Sequence, residues 1–392
     1  MANFRKRGNK WYFQIYLGIE PTTGKKKFSS KGGFKTKKEA QLAAAEIEKE
    51  VYENTYFKEQ DVLFKDFTFE WIKIYSESAK ISSVRNRKQN IDHLNRFFGQ
   101  RKIKDISRKQ YQSMLTSLHK EGYAFNTLDG IHSTGRMIFK KAVEFNVIKN
   151  SPCEFAKIPR KLETVEEVEN NKGEIKFMEK AELIRFLTAA KEDGIDKDFP
   201  MFLTLAYSGL RVGELIALKW TDIDMARETL RVTKTYYNPS NRTKEYQLLT
   251  PKTKGSIRTI KMDTDVIAAL KKHKEHQETL IEKSNNYYNQ LDFVFAKEIN
   301  NRGYPEFLKT VNIRMQRLLK LSGIDKKLTP HSLRHTHTSL LIEAGVGIKE
   351  IQQRLGHGDI NTTMNIYAHI TENMEEKASQ KFSDFMKGSL DL

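Results

Sequence analysis

Cysteine is almost absent from this sequence, since Cys153 is the only one in 392 residues. A lone cysteine excludes an internal disulfide and a thiolate metal cluster, and it favours a reducing compartment. Apolar runs are short, and none approaches the ~20 residues of a membrane-spanning helix. The N-terminus is basic and aromatic and lacks the apolar segment of an export signal. These absences predict a globular, cytoplasmic protein with no membrane partner.

Acidic residues are too few to balance the basic ones. Lysine and arginine number 68 against 50 aspartate and glutamate, which gives a formal net charge of +18. A polyanion is therefore the expected partner, with DNA or RNA ahead of a membrane surface. Charge alone leaves open a second interpretation, that of a merely basic enzyme. The length predicts two or three domains.

Residues 1–60 have the pattern of a small separate domain. From Trp11 to Leu17 apolar and polar residues alternate, which is the period of a strand with one buried face. A second strand is predicted over 26–30, followed by a break at Gly32 and Gly33. Thr36 and Glu39 form a capping box that opens a helix. The expected fold is a small three-stranded sheet packed on one helix.

Basic residues are dense in this first domain, and their density predicts contacts to the phosphates of a DNA backbone, with strands in a groove. A solvated basic face is the alternative. The candidate DNA-binding residues are Arg5, Arg7, Lys10, Lys25, Lys26, Lys27 and Lys35.

Residues 61–160 show helical periodicity throughout and predict a bundle of about four helices with aromatic residues in its core. Ser83 is expected to cap one helix, and Ser107 with Gln110 to form a capping box on the next. Asn126 or Thr127 is expected to start the fourth helix. The acidic, aperiodic stretch 161–175 is predicted to be an interdomain linker.

From residue 176 onward the pattern indicates a mixed domain. Two strand-like segments, 229–235 and 256–262, flank a polar excursion at 238–245. Helices are expected over 180–190, 199–207, 211–218, 265–283 and 306–321. The predicted fold class is therefore α+β and multidomain, with a mainly helical third domain that contains a small antiparallel sheet.

The third domain carries residues suited to the cleavage of a phosphodiester. This reaction needs an in-line nucleophile, cations on the non-bridging oxygens and an acid for the leaving oxygen. Guanidinium forks bind two phosphate oxygens at once, and neighbouring cations favour the phenolate form of a tyrosine. The candidates are Arg211, His331, Arg334 and His357 as phosphate ligands, Tyr367 as nucleophile, and Lys252 or Lys254 as acid.

His331 and His335 also have the i, i+4 spacing of two metal ligands. Arg334 would place a cation beside the metal, no acidic third ligand is adjacent, and the HExxH pattern is absent. The sequence therefore predicts no metal site at this helix.

Four blocks, in this order, resemble the tyrosine recombinase family, and specifically the integrases of phages and integrative elements. The blocks are AYSGLRVGEL at 206–215, TPKTKGSIRTI at 250–260, HSLRHTHTSLL at 331–341 and LGHGDINTTMNIYAH at 355–369. Glu214 matches a supporting acid of the family, and Lys254 competes with Lys252 because the insertion at 238–245 lengthens this region. By the resemblance the catalytic residues are Arg211, Lys252, His331, Arg334, His357 and, as nucleophile, Tyr367.

The resemblance implies two transesterifications through a 3′-phosphotyrosyl intermediate, without a metal or a nucleotide cofactor. It implies an arm-type DNA-binding domain over 1–60, a SAM-like core-binding domain over 61–160 and a catalytic domain over 176–370. We therefore expect a homotetramer on core and arm-type sites of double-stranded DNA, helped by accessory DNA-bending and excision factors. The expected location is the nucleoid of a bacterial host cell.

Beyond the nucleophile, four residues have helical spacing, namely Met374, Ala378, Phe382 and Phe385. They predict that 371–392 form a tail helix that docks on a neighbouring subunit. Three other functions stay open. A type IB topoisomerase-like enzyme would act on one duplex, a Xer-type resolvase belongs to a group that lacks the arm sheet, and a non-catalytic DNA-binding regulator would never form a covalent complex.

Overall fold

A computed structural model describes residues 2–19, 24–53, 60–160, 177–251, 254–284, 287–356 and 364. The chain divides into two compact units, one over residues 1–164 and the other over 165–392. In the described parts, no helix has both the length and the apolar character needed to cross a membrane.

The first unit begins with a three-stranded antiparallel sheet of order β1-β2-β3, followed by one helix. The elements are β1 (Asn3–Arg7), β2 (Lys10–Ile19), β3 (Lys26–Phe34) and α1 (Lys37–Tyr52). Phe13 and Ile15 alternate onto the buried face and pack against Ala40 and Ala44 of the helix. The predicted strand alternation and helix are therefore correct.

Two details of this sheet differ from prediction. β3 does not stop at Gly32 and Gly33 but continues to Phe34, across a bulge where the pairing shifts between Trp11 and Tyr12. The ring of Tyr12 lies over Gly32, where an added Cβ would come within 1.9 Å of it. Gly33 has a φ of +96°, which a residue with a side chain rarely adopts. The glycines are thus part of the strand instead of its end.

The first unit continues with four helices, as predicted. They are α2 (Phe64–Ser78), α3 (Ile81–Phe98), α4 (Arg108–Lys120) and α5 (Phe125–Glu144). Their core is aromatic, and Phe64, Tyr111 and Phe139 are fully buried. The capping box of α4 is complete, because Ser107 Oγ accepts from the Gln110 N–H and Gln110 Oε1 accepts from the Ser107 N–H.

Two helix starts in this bundle were predicted wrongly. α3 begins at Ile81, ahead of Ser83, and α5 begins at Phe125, ahead of Asn126 and Thr127. The residues at the two N-caps, Lys80 and Ala124, make no side-chain capping bond. Because neither boundary carries a side-chain cap, a search for capping residues misplaces both.

The second unit is mainly helical with two small sheets. Its helices are α6 (Lys180–Glu192), α7 (Asp198–Ser208), α8 (Val212–Ile216), α9 (Thr264–Lys283), α10 (Leu308–Leu321), α11 (Pro330–Glu343) and α12 (Ile348–Leu355). The strands β4 (Ile223–Asp224), β5 (Thr229–Val232) and β8 (Arg258–Lys261) form one antiparallel sheet of order β4-β5-β8. β6 (Thr235–Tyr237) and β7 (Gln247–Leu249) form a separate pair.

The polar excursion at 238–245 is the loop of the β6–β7 hairpin. Asn238 is buried there, and its amide donates to the Tyr236 hydroxyl and to the backbone oxygen of Arg242. The predicted strand over 229–235 is therefore two strands, because the chain leaves β5 at Val232 and starts a second hairpin at Thr235. The insertion builds its own hairpin and does not extend the strand β8 that follows the candidate lysines.

Candidate active site

Arg211 is held at the start of α8 by a short-range carboxylate clamp. Glu214 Oε2 accepts from the Arg211 backbone N–H at 3.0 Å, and Glu214 Oε1 accepts from Arg211 Nη1 at 2.9 Å. The Arg211 side chain is 40% exposed, whereas that of Glu214 is 3% exposed. The guanidinium is thus held by Glu214 on its buried side, and its other side is open to solvent.

The preceding Gly209 makes this turn possible. Its φ of +63° is left-handed, and a Cβ at this position would lie 2.6 Å from Leu355 Cδ2 and 2.7 Å from His337 Cδ2. Only glycine satisfies both the conformation and the lack of space. Glycine at position 209 therefore lets α7 end close to α11 and α12, and α8 begins three residues later.

Arg334 is buried inside α11, with 1% of its surface exposed. Its Nη1 donates to the backbone oxygen of Gly209 at 2.7 Å, and its Nη2 donates to that of Leu355 at 2.8 Å. Burial, together with the charges of Arg211 and Arg258, lowers the pKa of Arg334 to about 9, and Glu214 opposes the shift. The Arg334 side chain therefore connects Gly209, in the block at 206–215, to the end of α12.

Glu214 is the carboxylate at the centre of this group of arginines. Burial acts to raise its pKa, but the charges and hydrogen bonds of Arg258 and Arg211 more than compensate and hold the pKa below its usual value. Arg258 Nη2 donates to Glu214 Oε2 at 3.0 Å. Glu214 thus stays ionised and neutralises part of the surrounding positive charge.

His331 is exposed in the otherwise buried N-terminal turn of α11, three residues before Arg334. Desolvation of the ring, with the charges of His335, Arg334 and Arg211, lowers its pKa. The charges of Arg211 and Arg334 thus both act on the His331 ring. The rings of His331 and His335 meet edge to face at 4.8 Å. Within the described ranges, no group of three His, Cys, Asp or Glu side chains is arranged to hold a metal ion.

The end of α12 is fixed by side chains from other elements. Arg258 Nε donates to the Arg354 oxygen at 2.7 Å, Arg334 caps the Leu355 oxygen, and Ser256 Oγ donates to the Gly356 oxygen at 3.3 Å. Three successive carbonyls that the helix cannot satisfy are thus bound from β8, α11 and the turn before β8. This is the point from which the chain continues into the fourth block.

The side chain of Arg354 reinforces the same point. Its Nε donates to His337 Nε2 at 3.1 Å and its Nη2 donates to the Tyr207 oxygen at 2.9 Å. Sequence reasoning missed Arg258 and Arg354 as structural partners of the site. Arg258 lies inside the quoted block at 250–260, but its role depends on contacts to residues far away in sequence.

Three of the six predicted catalytic residues lie outside the described residues, namely Lys252, His357 and Tyr367. The side chain of the alternative acid, Lys254, is also outside them. The predicted linker over 161–175 and the tail over 371–392 lie outside them as well. Of the six predicted catalytic residues, the structure thus describes Arg211, His331 and Arg334, together with Glu214, which binds Arg211.

The candidate DNA-binding residues of the first unit fall into groups by strand register. Arg5 pairs with Tyr12, Arg7 with Lys10, and Tyr12 with Gly32, so these side chains share the sheet face that α1 leaves open. By the same alternation Lys26 shares the open face with Phe28, whereas Lys27 lies on the side of Ser29, which is buried. Lys25 precedes β3, and the Lys35 backbone N–H donates to Glu39.

Comparison with protein families identifies the family to which this chain belongs. Residues 176–374 match the phage integrase family, residues 3–51 an arm DNA-binding domain and residues 63–119 the N-terminal SAM-like domain of phage integrases. The chain belongs to the phage integrase family. It is a tyrosine-type site-specific recombinase of the integrase kind, and the predicted family, enzyme class and fold class are confirmed.

Individual proteins similar to this integrase-family chain support the assignment. The Prophage ps2 probable integrase of Lactococcus lactis is 30% identical over 94% of this chain and 95% of its own length. The Tn1549 transposon integrase, solved with a circular intermediate DNA, has a TM-score of 0.64 at 21% identity and covers 81% of this chain and 99% of its own. A lambda integrase tetramer bound to a Holliday junction has a TM-score of 0.54 at 19% identity, over 92% of this chain and 96% of its own. These solved neighbours are thus integrases bound to DNA, one of them as a tetramer.

Proposed function

We propose that the catalytic residues of this recombinase are Arg211, Lys252, His331, Arg334, His357 and Tyr367, with Lys254 as the alternative lysine. The observation that supports this proposal is that buried Glu214 binds Arg211 and acts on Arg334, while the charges of both arginines act on His331. Charge accumulates on the non-bridging oxygens of a phosphodiester during attack, and rigid guanidinium groups stabilise it without reorganisation.

In the proposed cleavage step the phenol oxygen of Tyr367 attacks the scissile phosphorus. The bond to the 5′ oxygen breaks, and a 3′-phosphotyrosyl ester forms. His331 has a lowered pKa and is neutral at neutral pH, so it can take the phenol proton. Lys252 or Lys254 gives a proton to the departing 5′ oxygen. The 5′ hydroxyl of a partner strand then reverses the step, and the bond energy is conserved without a nucleotide cofactor or a metal.

The two arginines are proposed to divide the binding of the phosphate. Arg211 is open to solvent and braced by Glu214, so its fork is available to an incoming phosphate. Arg334 lies in surroundings of low polarity, where a charge acts over a longer distance than in water. His357 is proposed to add one further hydrogen bond.

We further propose that the chain acts on double-stranded DNA as a homotetramer. The catalytic domain (176–370) and the core-binding domain (61–160) would clamp the core sites, and the arm domain (1–60) would hold separate sites. The tail at 371–392 would join neighbouring subunits. Accessory DNA-bending and excision factors and a location at the nucleoid in the bacterial cytoplasm belong to the same proposal. The net charge of +18 and the basic open face of the sheet support it.

A nicked attachment-site duplex that loses its 5′ fragment on cleavage tests the chemistry. The wild-type protein should give a covalent protein–DNA species on a denaturing gel. Tyr367→Phe should bind the duplex with unchanged affinity and give no covalent species. Arg211→Lys should lose most of the activity, because a point charge cannot replace the fork.

Other outcomes of the same assay point to the alternative functions. Binding without any covalent species from the wild-type protein would indicate a DNA-binding regulator. A covalent species with relaxation of supercoils, but without recombinant product, would indicate a topoisomerase-like enzyme.

A further inference from the structure

Arg258 is a third arginine at this site, and nothing in the proposed reaction uses it. It is the first residue of β8, and its side chain is 6% exposed. Its guanidinium donates in three directions: Nη2 to Glu214 Oε2 at 3.0 Å, Nη1 to the Ser256 oxygen at 3.0 Å and Nε to the Arg354 oxygen at 2.7 Å. All three of its nitrogens are therefore engaged within the protein.

The three acceptors belong to three different parts of the proposed site. Glu214 holds Arg211, Ser256 follows the candidate lysines, and Arg354 lies three residues before His357. Arg258 and Arg354 are 96 positions apart in sequence. One planar group therefore contacts three segments that are distant from one another in sequence.

Close packing leaves little freedom around this group. A Cβ at Gly356 would lie 3.1 Å from Ser256 Cα and 3.2 Å from both Arg258 Cδ and Nη1. The φ of Gly356 is +67°, so the chain turns away from α12 directly against Arg258. A displacement of Arg258 would thus be transmitted both to Glu214 and to the start of the fourth block.

The electrostatics give the contact with Glu214 a second effect. Arg258 contributes the largest charge interaction that lowers the pKa of Glu214 against the effect of burial. Without Arg258 the carboxyl would keep its desolvation and lose its main opposing charge. The pKa of Glu214 would therefore rise, a larger fraction of the carboxyl would be protonated at a given pH, and a neutral carboxyl holds Arg211 less firmly.

We propose that Arg258 is a positioning residue for DNA cleavage, which holds Glu214, and through it Arg211, in register with the end of α12 from which residues 357–367 continue. This inference rests on the proposed function. Lysine cannot replace Arg258, since an ammonium group lacks the planar fork that reaches three acceptors at once.

The test compares Arg258→Gln and Arg258→Lys with the wild-type chain in the nicked-duplex assay. Both variants should bind the duplex within about twofold of the wild type and form the covalent species at least ~100-fold more slowly, as expected for the loss of a group that orients the transition state. Arg227→Gln is the matched control, because Arg227 is 85% exposed in the β4–β5 turn and should cleave at the wild-type rate.

A double-mutant cycle separates positioning from a general loss of folding. If Arg258 acts through Glu214, then adding Arg258→Gln to Glu214→Gln should slow cleavage far less than Arg258→Gln alone slows the wild type. Relative to the wild type, the cleavage rate of Arg258→Gln should also depend more strongly on pH and rise with it, as Glu214 loses its proton. A variant that merely unfolds in part would keep the wild-type pH profile and would show additive losses in the cycle.

The outcomes distinguish this inference from the proposed function. Cleavage by Arg258→Gln within threefold of the wild type, or additive losses with an unchanged pH profile, would overturn the role of Arg258 while the recombinase chemistry stands. Absence of any covalent species from the wild-type protein would overturn the proposed function, and this inference with it.

Discussion

At the scale of single residues, Gly209 is a position where substitution should be poorly tolerated. Gly209→Ala places a Cβ against Leu355 and His337 in a left-handed backbone, and we expect it to lower the free energy of unfolding by about 2–4 kcal/mol. Cleavage should fall with it, because Arg211 follows two residues later. Gly323→Ala is the control, since Gly323 has a φ of +66° but no atom within 4 Å of the added Cβ.

Urea unfolding of both glycine variants measures the difference. Gly323→Ala should cost only the conformational part, about 1 kcal/mol. Equal losses in the two variants would show that the contacts with Leu355 and His337 do not matter.

The buried His273 predicts a pH dependence of stability. Burial lowers its pKa to about 4, although its Nε2 lies 2.8 Å from the Val294 oxygen. Between about pH 6.5 and 4 the unfolded chain binds a proton at this position that the folded chain does not. The free energy of unfolding therefore falls as the pH falls through this range, by about 2 kcal/mol at pH 5.

His273→Gln removes this titration and keeps a donor for Val294. Urea unfolding at pH 7.5 and pH 5 should show a smaller loss for this variant than for the wild type. His276→Gln, on the exposed side of the same helix, should keep the wild-type loss. An identical loss in all three proteins would refute the assignment.

At the scale of elements, the arm sheet offers a matched pair of lysine and arginine positions. Arg5 lies on the open face and Lys27 on the side of the buried Ser29. We expect Arg5→Ala to weaken DNA binding and to reduce the slope of log affinity against log salt by about 1, because one phosphate contact is lost. Lys27→Ala should change this slope less. Titrations of the full chain with a random-sequence duplex over a range of salt concentrations measure both, and equal slopes would argue against the open face as the DNA surface.

Elements whose signals are local in sequence were the ones predicted well. The alternation around Phe13, the capping box of Ser107 and the apolar period of the catalytic helices all involve neighbours within a few residues. The supporting role of Glu214, given by the resemblance, also rests on a local contact, since it binds Arg211 at a separation of three residues. Such interactions can be predicted from the sequence, because both partners lie within a few residues of each other.

Elements that depend on distant partners were predicted poorly. The split of β5 and β6 comes from a hairpin that pairs Tyr236 with Leu248. The buried state of Arg334 and the three-way contact of Arg258 join segments about 100 residues apart. No local pattern distinguishes such an arginine from a solvated one.

At the scale of the whole molecule, the tail is expected to control assembly. A chain lacking 371–392 keeps every described element and should bind a single core site normally. On a duplex pair with two sites it should fail to form the tetramer, because the contact to the neighbouring subunit is gone. Light scattering of the protein–DNA complexes measures the assembly, and a tetramer formed without the tail would contradict this role.

The burial of Cys153 makes the protein convenient for single-molecule work. Cys153 is 2% exposed, and burial raises the pKa of its thiol, so maleimide dyes should react with it slowly. A cysteine introduced at an exposed position such as Tyr52, which is 89% exposed, would then carry one fluorophore without prior removal of a native thiol. Energy transfer from that dye to labelled DNA would follow strand exchange as it happens.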